Sequence, residues 1–313
     1  MLKHNRIALL LVALLAVFAL FAAACGDDDD AKTATPAANA TTAVSGSPSA
    51  ATTAKATAFP ADSTMAKIVA KGSLIVGVKF DQPGFGLLDP KTNKPDGFDI
   101  AMAKDIGKAL GLKDDQIQFV EAVSANRLPY LLTDKVDLVI ATMTINADRK
   151  TQIDFSRPYY LAGQSILVKK DNTTITKVDD LNGKKVCSVS GSTSEKNVQS
   201  KAPQATLLSL ADYSSCVSSL KDGRVDAVST DDIILAGFAA ADSSLKLVGG
   251  QFTQEPYGIG VKKGKDDLVK FIDAQIDQMF KDGTWDSIYT KYLGKVEGLP
   301  KPADARAKIP ATN

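Results

Sequence analysis

The 313-residue chain balances 37 Lys and Arg against 36 Asp and Glu, and its formal net charge of +1 excludes the basic surface of a nucleic-acid binder. Its single histidine, His4, falls at the very start. The body of the chain therefore has no Ser-His-Asp triad, Cys-His pair or imidazole metal site, so neither an enzyme nor a cofactor is expected.

A basic start, Lys3 and Arg6, precedes the unbroken apolar run IALLLVALLAVFALFAAA and then Cys25, which reads as a signal peptide over residues 1–24. The junction resembles a bacterial lipobox, with small residues Ala22 to Ala24 and alanine in place of the usual leucine three places upstream. That resemblance implies cleavage after Ala24, lipid on Cys25 and a membrane-anchored protein. An uncleaved anchor is the rival, since about eighteen apolar residues just span a bilayer. Both readings put the remainder outside the cytoplasmic membrane. Residues 25–59 are rich in Ala, Thr, Ser, Pro and Asp, with almost nothing to bury, and read as a disordered tether. The run Asp27 to Asp30 lacks a fixing turn and reads as a solvated spacer rather than a calcium site. At the other end, EGLPKPADARAKIPATN shows no periodicity, and residues 298–313 are expected to form a flexible tail.

About 240 residues lie between, enough for one large or two small domains. Short apolar strands alternate with amphipathic helices: SLIVGVKF, FDIAMAKDIGKALG, IQFVEAV, a short helix in SANRLPYLL, then VDLVIAT. This is the rhythm of βαβ units in an α/β sheet. It restarts after Lys170 with KKVCSVSG, SEKNVQSKA, ATLLSL, YSSCVSSLKDG and VDAVST. LLTDKVDLVIAT and SLKDGRVDAVSTD echo each other, and two lobes of similar construction are expected. YLAGQSILVKK leaves the first lobe and EPYGIGVKKG returns to it. Cys187 and Cys216 could form a disulfide outside the cytoplasm, closing a loop of about thirty residues for ~3 kcal/mol; two buried thiols are the alternative.

Ligands of open α/β sheets sit beyond the carboxyl ends of the strands. Lys79 follows the first strand, Ser124 and Arg127 the second, Thr142 and Thr144 the third, with Arg149 on the next loop. In the second half, the segment SGSTS containing Ser192 and Thr193 follows one strand, and Asp231 another. Arg127 stands at the start of its helix, where Asn126 is the expected cap and Pro129 is tolerated in the first turn. A cation there opposes the helix dipole, which leaves either a head reaching water or an anionic partner. Individually each residue has an ordinary structural reading. Three cations and one carboxylate together suit a molecule with two carboxylates and one ammonium.

The segments GVKFDQPGFG, GFDIAMAKDIGKALG, VDLVIATMTINADRKTQIDFSRPYY, SGSTSEKN, GRVDAVSTDD and EPYGIGVKK strongly resemble the polar amino-acid-binding proteins of bacterial ABC importers, over nearly all of residues 65–296. Ser124 to Pro129 with Lys79 resembles the glutamate/aspartate-binding branch. The resemblance implies a two-lobed periplasmic-binding-protein fold of type II, with two open α/β sheets joined by two crossover segments. Lobe 1 would comprise residues 60–162 plus 257–297, and lobe 2 residues 163–256. Arg149 then matches the arginine that holds an α-carboxylate, Thr144 the donor beside it, Thr142 and Asp231 the ammonium acceptors, and Ser192 and Thr193 the second-lobe donors. Arg127, Ser124 and Lys79 match a side-chain carboxylate pocket, and Tyr213 lies where one relative has a histidine. The implied partners are L-glutamate or L-aspartate and ABC permease subunits, with the binding protein a monomer. The alternatives are a sensor that docks to a signalling receptor and a dehydratase-like enzyme on the same fold, which would need a carboxylate, lysine or tyrosine as its acid or base.

Overall fold

The computed structural model describes residues 59–311; the signal segment, Cys25 and the tether up to residue 58 lie outside the described residues. Two five-stranded sheets form the cores of two lobes. The first runs in the order Ile117–Glu121, Leu74–Val78, Leu138–Val139, Gly260–Lys262, Ile153–Phe155. The order in the second is Thr206–Leu210, Lys185–Val189, Ala227–Asp231, Gln164–Lys169, Leu245–Val248. In each sheet the first three strands are mutually parallel, and the fourth is antiparallel to both neighbours. The lobes thus share one pattern of strand directions, although the fourth strand comes last along the chain in the first sheet and first in the second.

The echoed Val-Asp dipeptides have a common physical task within it. Asp137 accepts a hydrogen bond from Ile75 N at 2.8 Å, and Asp226 accepts one from Lys185 N at 2.8 Å. Each carboxylate satisfies a backbone donor near the start of the neighbouring parallel strand. Helices cover both sheet faces, so the strands read as apolar runs; Leu74, Val76, Ile166, Leu167 and Val168 are all fully buried. The helix Asp266–Asp282 buries Leu268, Ile272, Ile276 and Met279 along one stripe, carries two aspartates at the positive end of its dipole, and stops at Gly283 with φ 81°.

The chain crosses between lobes along Tyr160–Ala162 and returns along Glu255–Tyr257. These crossings pair antiparallel, Glu255 with Ala162 and Tyr257 with Tyr160, so the connection is a ribbon rather than two separate threads. Aromatic rings brace it: Phe85 meets Tyr160 edge-on at 5.5 Å, and Tyr160 stacks on Tyr257 at 5.7 Å. In the second lobe, Cys187 and Cys216 are joined as a disulfide with a Cα–Cα distance of 5.4 Å, tying the helix Tyr213–Lys221 to the strand Lys185–Val189.

Two local expectations change. Asn126 precedes the helix Arg127–Leu132 without capping it, because a 3-10 turn over Ser124–Asn126 runs into the helix and gives Asn126 helical angles (φ −91°, ψ −11°). A side-chain cap needs extended backbone at that residue, and the Asn126 amide instead donates to Tyr130 Oη at 3.3 Å. The tail is also more ordered than its composition suggests. Pro302–Ala307 is helical with proline in its first turn, Ile309 packs on the core, and Tyr289 Oη donates to Pro300 O at 2.9 Å.

Candidate functional site

Residues that follow the parallel strands of the two lobes meet beside the ribbon. Arg149 Nη2 donates across to Gly191 O at 3.3 Å, and the hydroxyls of Thr144 and Thr193 lie 3.3 Å apart. Gly191 is required there: its φ is +78°, and a Cβ would sit 2.8 Å from Ala125 Cα in the facing lobe. Asn146 caps the short helix Ala147–Lys150 by accepting from Arg149 N at 2.9 Å, which aims the arginine inward, and its Nη1 then donates to Thr144 O at 2.6 Å. Burial, reinforced by the charge of Arg127, lowers the Arg149 pKa to about 9.

Lys79, Ser124 and Arg127 form a second buried corner. Lys79 Nζ donates to Ser124 Oγ at 3.0 Å, and burial lowers its pKa to about 8 against the opposing pull of Asp81. Arg127 reaches no water: it is 3 % exposed and donates to three backbone carbonyls, Ala141 at 3.0 Å, Thr142 at 3.2 Å and Ser124 at 3.3 Å. Asp231 lies close enough to Arg127 and Arg149 to favour the charge on both. Burial pushes the Asp231 carboxyl well up, and Glu255 pushes it further. Its Oδ2 accepts from Tyr257 Oη at 2.5 Å, while its buried Oδ1 has no hydrogen-bond partner.

The remaining predicted residues divide by what their polar atoms already do. Ser192 caps the helix Thr193–Lys201, its Oγ accepting from Glu195 N at 3.0 Å. Tyr213 is buried with its ring centroid 5.9 Å from Lys79 Nζ; burial raises its phenol, opposed by hydrogen bonding with Thr230, Ser192 and Ser194. Thr142 adopts φ 45°, a strained conformation for a β-branched residue.

Three residues that sequence reasoning passed over hold this arrangement. Asp99, fully buried in the first turn of Phe98–Ala109, accepts from Thr142 N at 2.9 Å and from Tyr159 Oη at 2.8 Å, pinning the strained threonine. Burial raises its pKa to about 7. Glu255 on the returning crossing accepts from Thr144 at 2.7 Å and Thr193 at 2.9 Å through one oxygen, and from Asn197 at 3.0 Å through the other. Gln82 is fully buried, and its Oε1 lies 3.0 Å from Thr142 Oγ1. For two of them the available clue was a polar residue in an otherwise apolar segment, Asp in GFDIAM and Glu in EPYGIG; Gln82 in KFDQPG stands beside Lys79 and Asp81 and carried no such signal.

A cavity of about 230 Å³ opens between Ser124, Arg149, Gly191, Ser192 and Thr193, and one of about 360 Å³ runs past Thr144, Asn197 and Glu255. Lys79, Arg127 and Asp231 line neither. The seam between the two lobes thus groups buried charges of both signs. Among the described residues no group of His, Cys, Asp and Glu could hold a metal ion.

Residues 74–295 match the model of the bacterial extracellular solute-binding proteins, family 3. The ABC transporter glutamine-binding protein GlnH of Bacillus subtilis is 43 % identical over 231 residues, 74 % of this chain and 84 % of that protein. The glutamate-binding protein GluB of Corynebacterium glutamicum is 37 % identical over 238 residues, 72 % of this chain and 80 % of its own. An ancestral arginine-binding protein solved with glutamine superposes with TM-score 0.68 at 42 % identity, covering 72 % of this chain and 99 % of that structure. The match spans both lobes and both crossings, and the chain belongs to the family 3 bacterial extracellular solute-binding proteins.

Proposed function

We propose that this protein captures L-glutamate, with L-aspartate as a second ligand, and delivers it to the permease of an ABC importer while held at the membrane by lipid on Cys25. The observation that carries the reading is the grouping of three buried cations, Lys79, Arg127 and Arg149, with Asp231, whose buried Oδ1 has no partner. An amino dicarboxylate complements that set: Arg149 takes the α-carboxylate, Asp231 the ammonium, and Lys79, Ser124 and Arg127 the side-chain carboxylate. Thr144, Thr193 and Glu255 link the lobes around the ligand, so a ligand bonded to both lobes favours the closed form that a permease would read. The similarity to a glutamine-binding and a glutamate-binding protein supports the amino-acid-binding reading.

The test is to strip trapped ligand by mild unfolding, refold, and titrate calorimetrically with L-glutamate, L-aspartate, L-glutamine and L-arginine. Micromolar or tighter glutamate binding with glutamine far weaker is expected. Preference for glutamine or arginine would overturn the acidic assignment. The mass of the N-terminal peptide from membrane-bound protein reads the anchor, and an unmodified Cys25 there would remove it.

A pH dependence follows from Lys79. With its pKa lowered to about 8, the ammonium is present below that value and lost above it. Glutamate affinity is therefore expected to fall about threefold between roughly pH 6.5 and pH 8.5, a window below the titration of Arg149 and of the ligand's own ammonium, while Lys79→Arg flattens the profile over that window. A flat wild-type profile would take Lys79 out of ligand contact.

A further inference from the structure

We propose that Gln82 is a further ligand-reading residue, one that allows the site to accept either a carboxylate or a carboxamide at the end of the ligand's side chain; this rests on the amino-acid-binding reading above. Gln82 closes the two-residue strand Asp81–Gln82 where the lobes touch. The neighbouring Asp81 accepts from Tyr213 N at 2.7 Å through its carboxylate and from Ser214 Oγ at 3.1 Å through its carbonyl, both in the second lobe. Gln82 Oε1 lies 3.0 Å from Thr142 Oγ1, and the Thr142 carbonyl accepts from Arg127 Nη1 at 3.2 Å. Only Thr142 therefore separates the Gln82 amide from the guanidinium assigned to the side-chain carboxylate.

Buried side-chain polar atoms are nearly always paired. Among the described residues, four such atoms have no partner, and two of them, Gln82 Nε2 and Asp231 Oδ1, belong to this site. Asp231 Oδ1 awaits a donor; the amide of Gln82 has a second option. The Thr142 hydroxyl has one hydrogen and two acceptors in reach, Gln82 Oε1 at 3.0 Å and Ala141 O at 2.8 Å. Donation to Gln82 leaves the amide N–H₂ to donate to a carboxylate. Donation to Ala141 lets the amide turn over, donate to Thr142, and offer its oxygen to a carboxamide N–H. The same side chain thus reads glutamate and glutamine, while Lys79 and Arg127 add charge complementarity for glutamate alone.

Gln82→Met keeps the length of the side chain and removes both amide faces. L-Glutamine and L-glutamate are titrated by calorimetry into refolded wild type and variant, with thermal midpoints measured on both unliganded proteins. Glutamine affinity is expected to fall about tenfold or more and glutamate affinity by less, while the midpoint of the variant equals or exceeds that of wild type because an unpartnered polar group has gone. Unchanged affinity for both ligands would overturn the inference and leave the functional reading standing. A lowered midpoint with both ligands weakened alike would also overturn it, since that is the behaviour of a purely structural glutamine. Failure of wild type to bind either amino acid would overturn the functional reading itself.

Discussion

Arg149→Met is expected to weaken amino-acid binding by roughly 100- to 1,000-fold and to lower the thermal midpoint modestly, because the buried Thr144 carbonyl loses its donor. Arg149 is 7 % exposed, and burial holds its pKa down to about 9, so the fold gains little from carrying that charge by itself. The stability cost is the donor lost to Thr144 O, about 1–3 kcal/mol, partly offset because a desolvated charge has gone. The bound ligand fares differently. Its α-carboxylate would enter a site with no matching charge, and removing one partner of a buried, hydrogen-bonded charge pair costs about 3–5 kcal/mol. The variant also loses the bond from Nη2 to Gly191 O across the lobes, which adds to the loss only in the closed form. Calorimetric titration beside thermal melts separates the two effects. Affinity within about threefold of wild type in the folded variant would place the α-carboxylate elsewhere.

Arg127→Ala should weaken glutamate binding by roughly tenfold to a hundredfold or more, from the loss of one or two charge-assisted hydrogen bonds. This variant is expected to melt earlier than the first. Arg127 satisfies the carbonyls of Ser124, Ala141 and Thr142, and each buried acceptor left bare costs about 1–3 kcal/mol. Arg127→Lys distinguishes the roles: it restores the charge but not the planar fork, so it should recover part of the glutamate affinity and less of the backbone bonding. The informative quantity is the ratio of glutamate to glutamine affinity. If that ratio is unchanged in Arg127→Ala, the arginine is structural and the side-chain pocket must be assigned to other residues.

The sequence carried the architecture because alternating strands and helices write their periodicity openly, and because a cleft at strand ends follows from the topology. The Val-Asp echo went further than expected: it marks equivalent hydrogen bonds made by Asp137 and Asp226 in the two lobes. Roles that depend on side-chain direction were not legible. Asp99 sits in an amphipathic helix where an acid in the first turn is ordinary, and only the fold turns it onto Thr142. Glu255 sits on a crossing segment with no helical or strand period long enough to show which way it points, and Gln82 is in a strand of two residues. Asn126 failed as a cap for a related reason, since its backbone angles are set by the preceding turn and not by its own preference.

The order of strands also governs the order in which the molecule can be completed. Every strand of the second lobe lies between Gln164 and Val248, so that sheet can close as soon as those residues are available. The first sheet has a gap between Leu138–Val139 and Ile153–Phe155 that only Gly260–Lys262 can fill, from more than a hundred residues further along the chain. Emerging from its N-terminus, the chain must hold the half-built first sheet with two unpaired strand edges while the whole second lobe is synthesised. Closing that gap is a contact of high sequence separation, the kind that makes folding slow. The lobe that begins first is thus finished last, and its open edges are where a chaperone would bind and where an incomplete chain would aggregate.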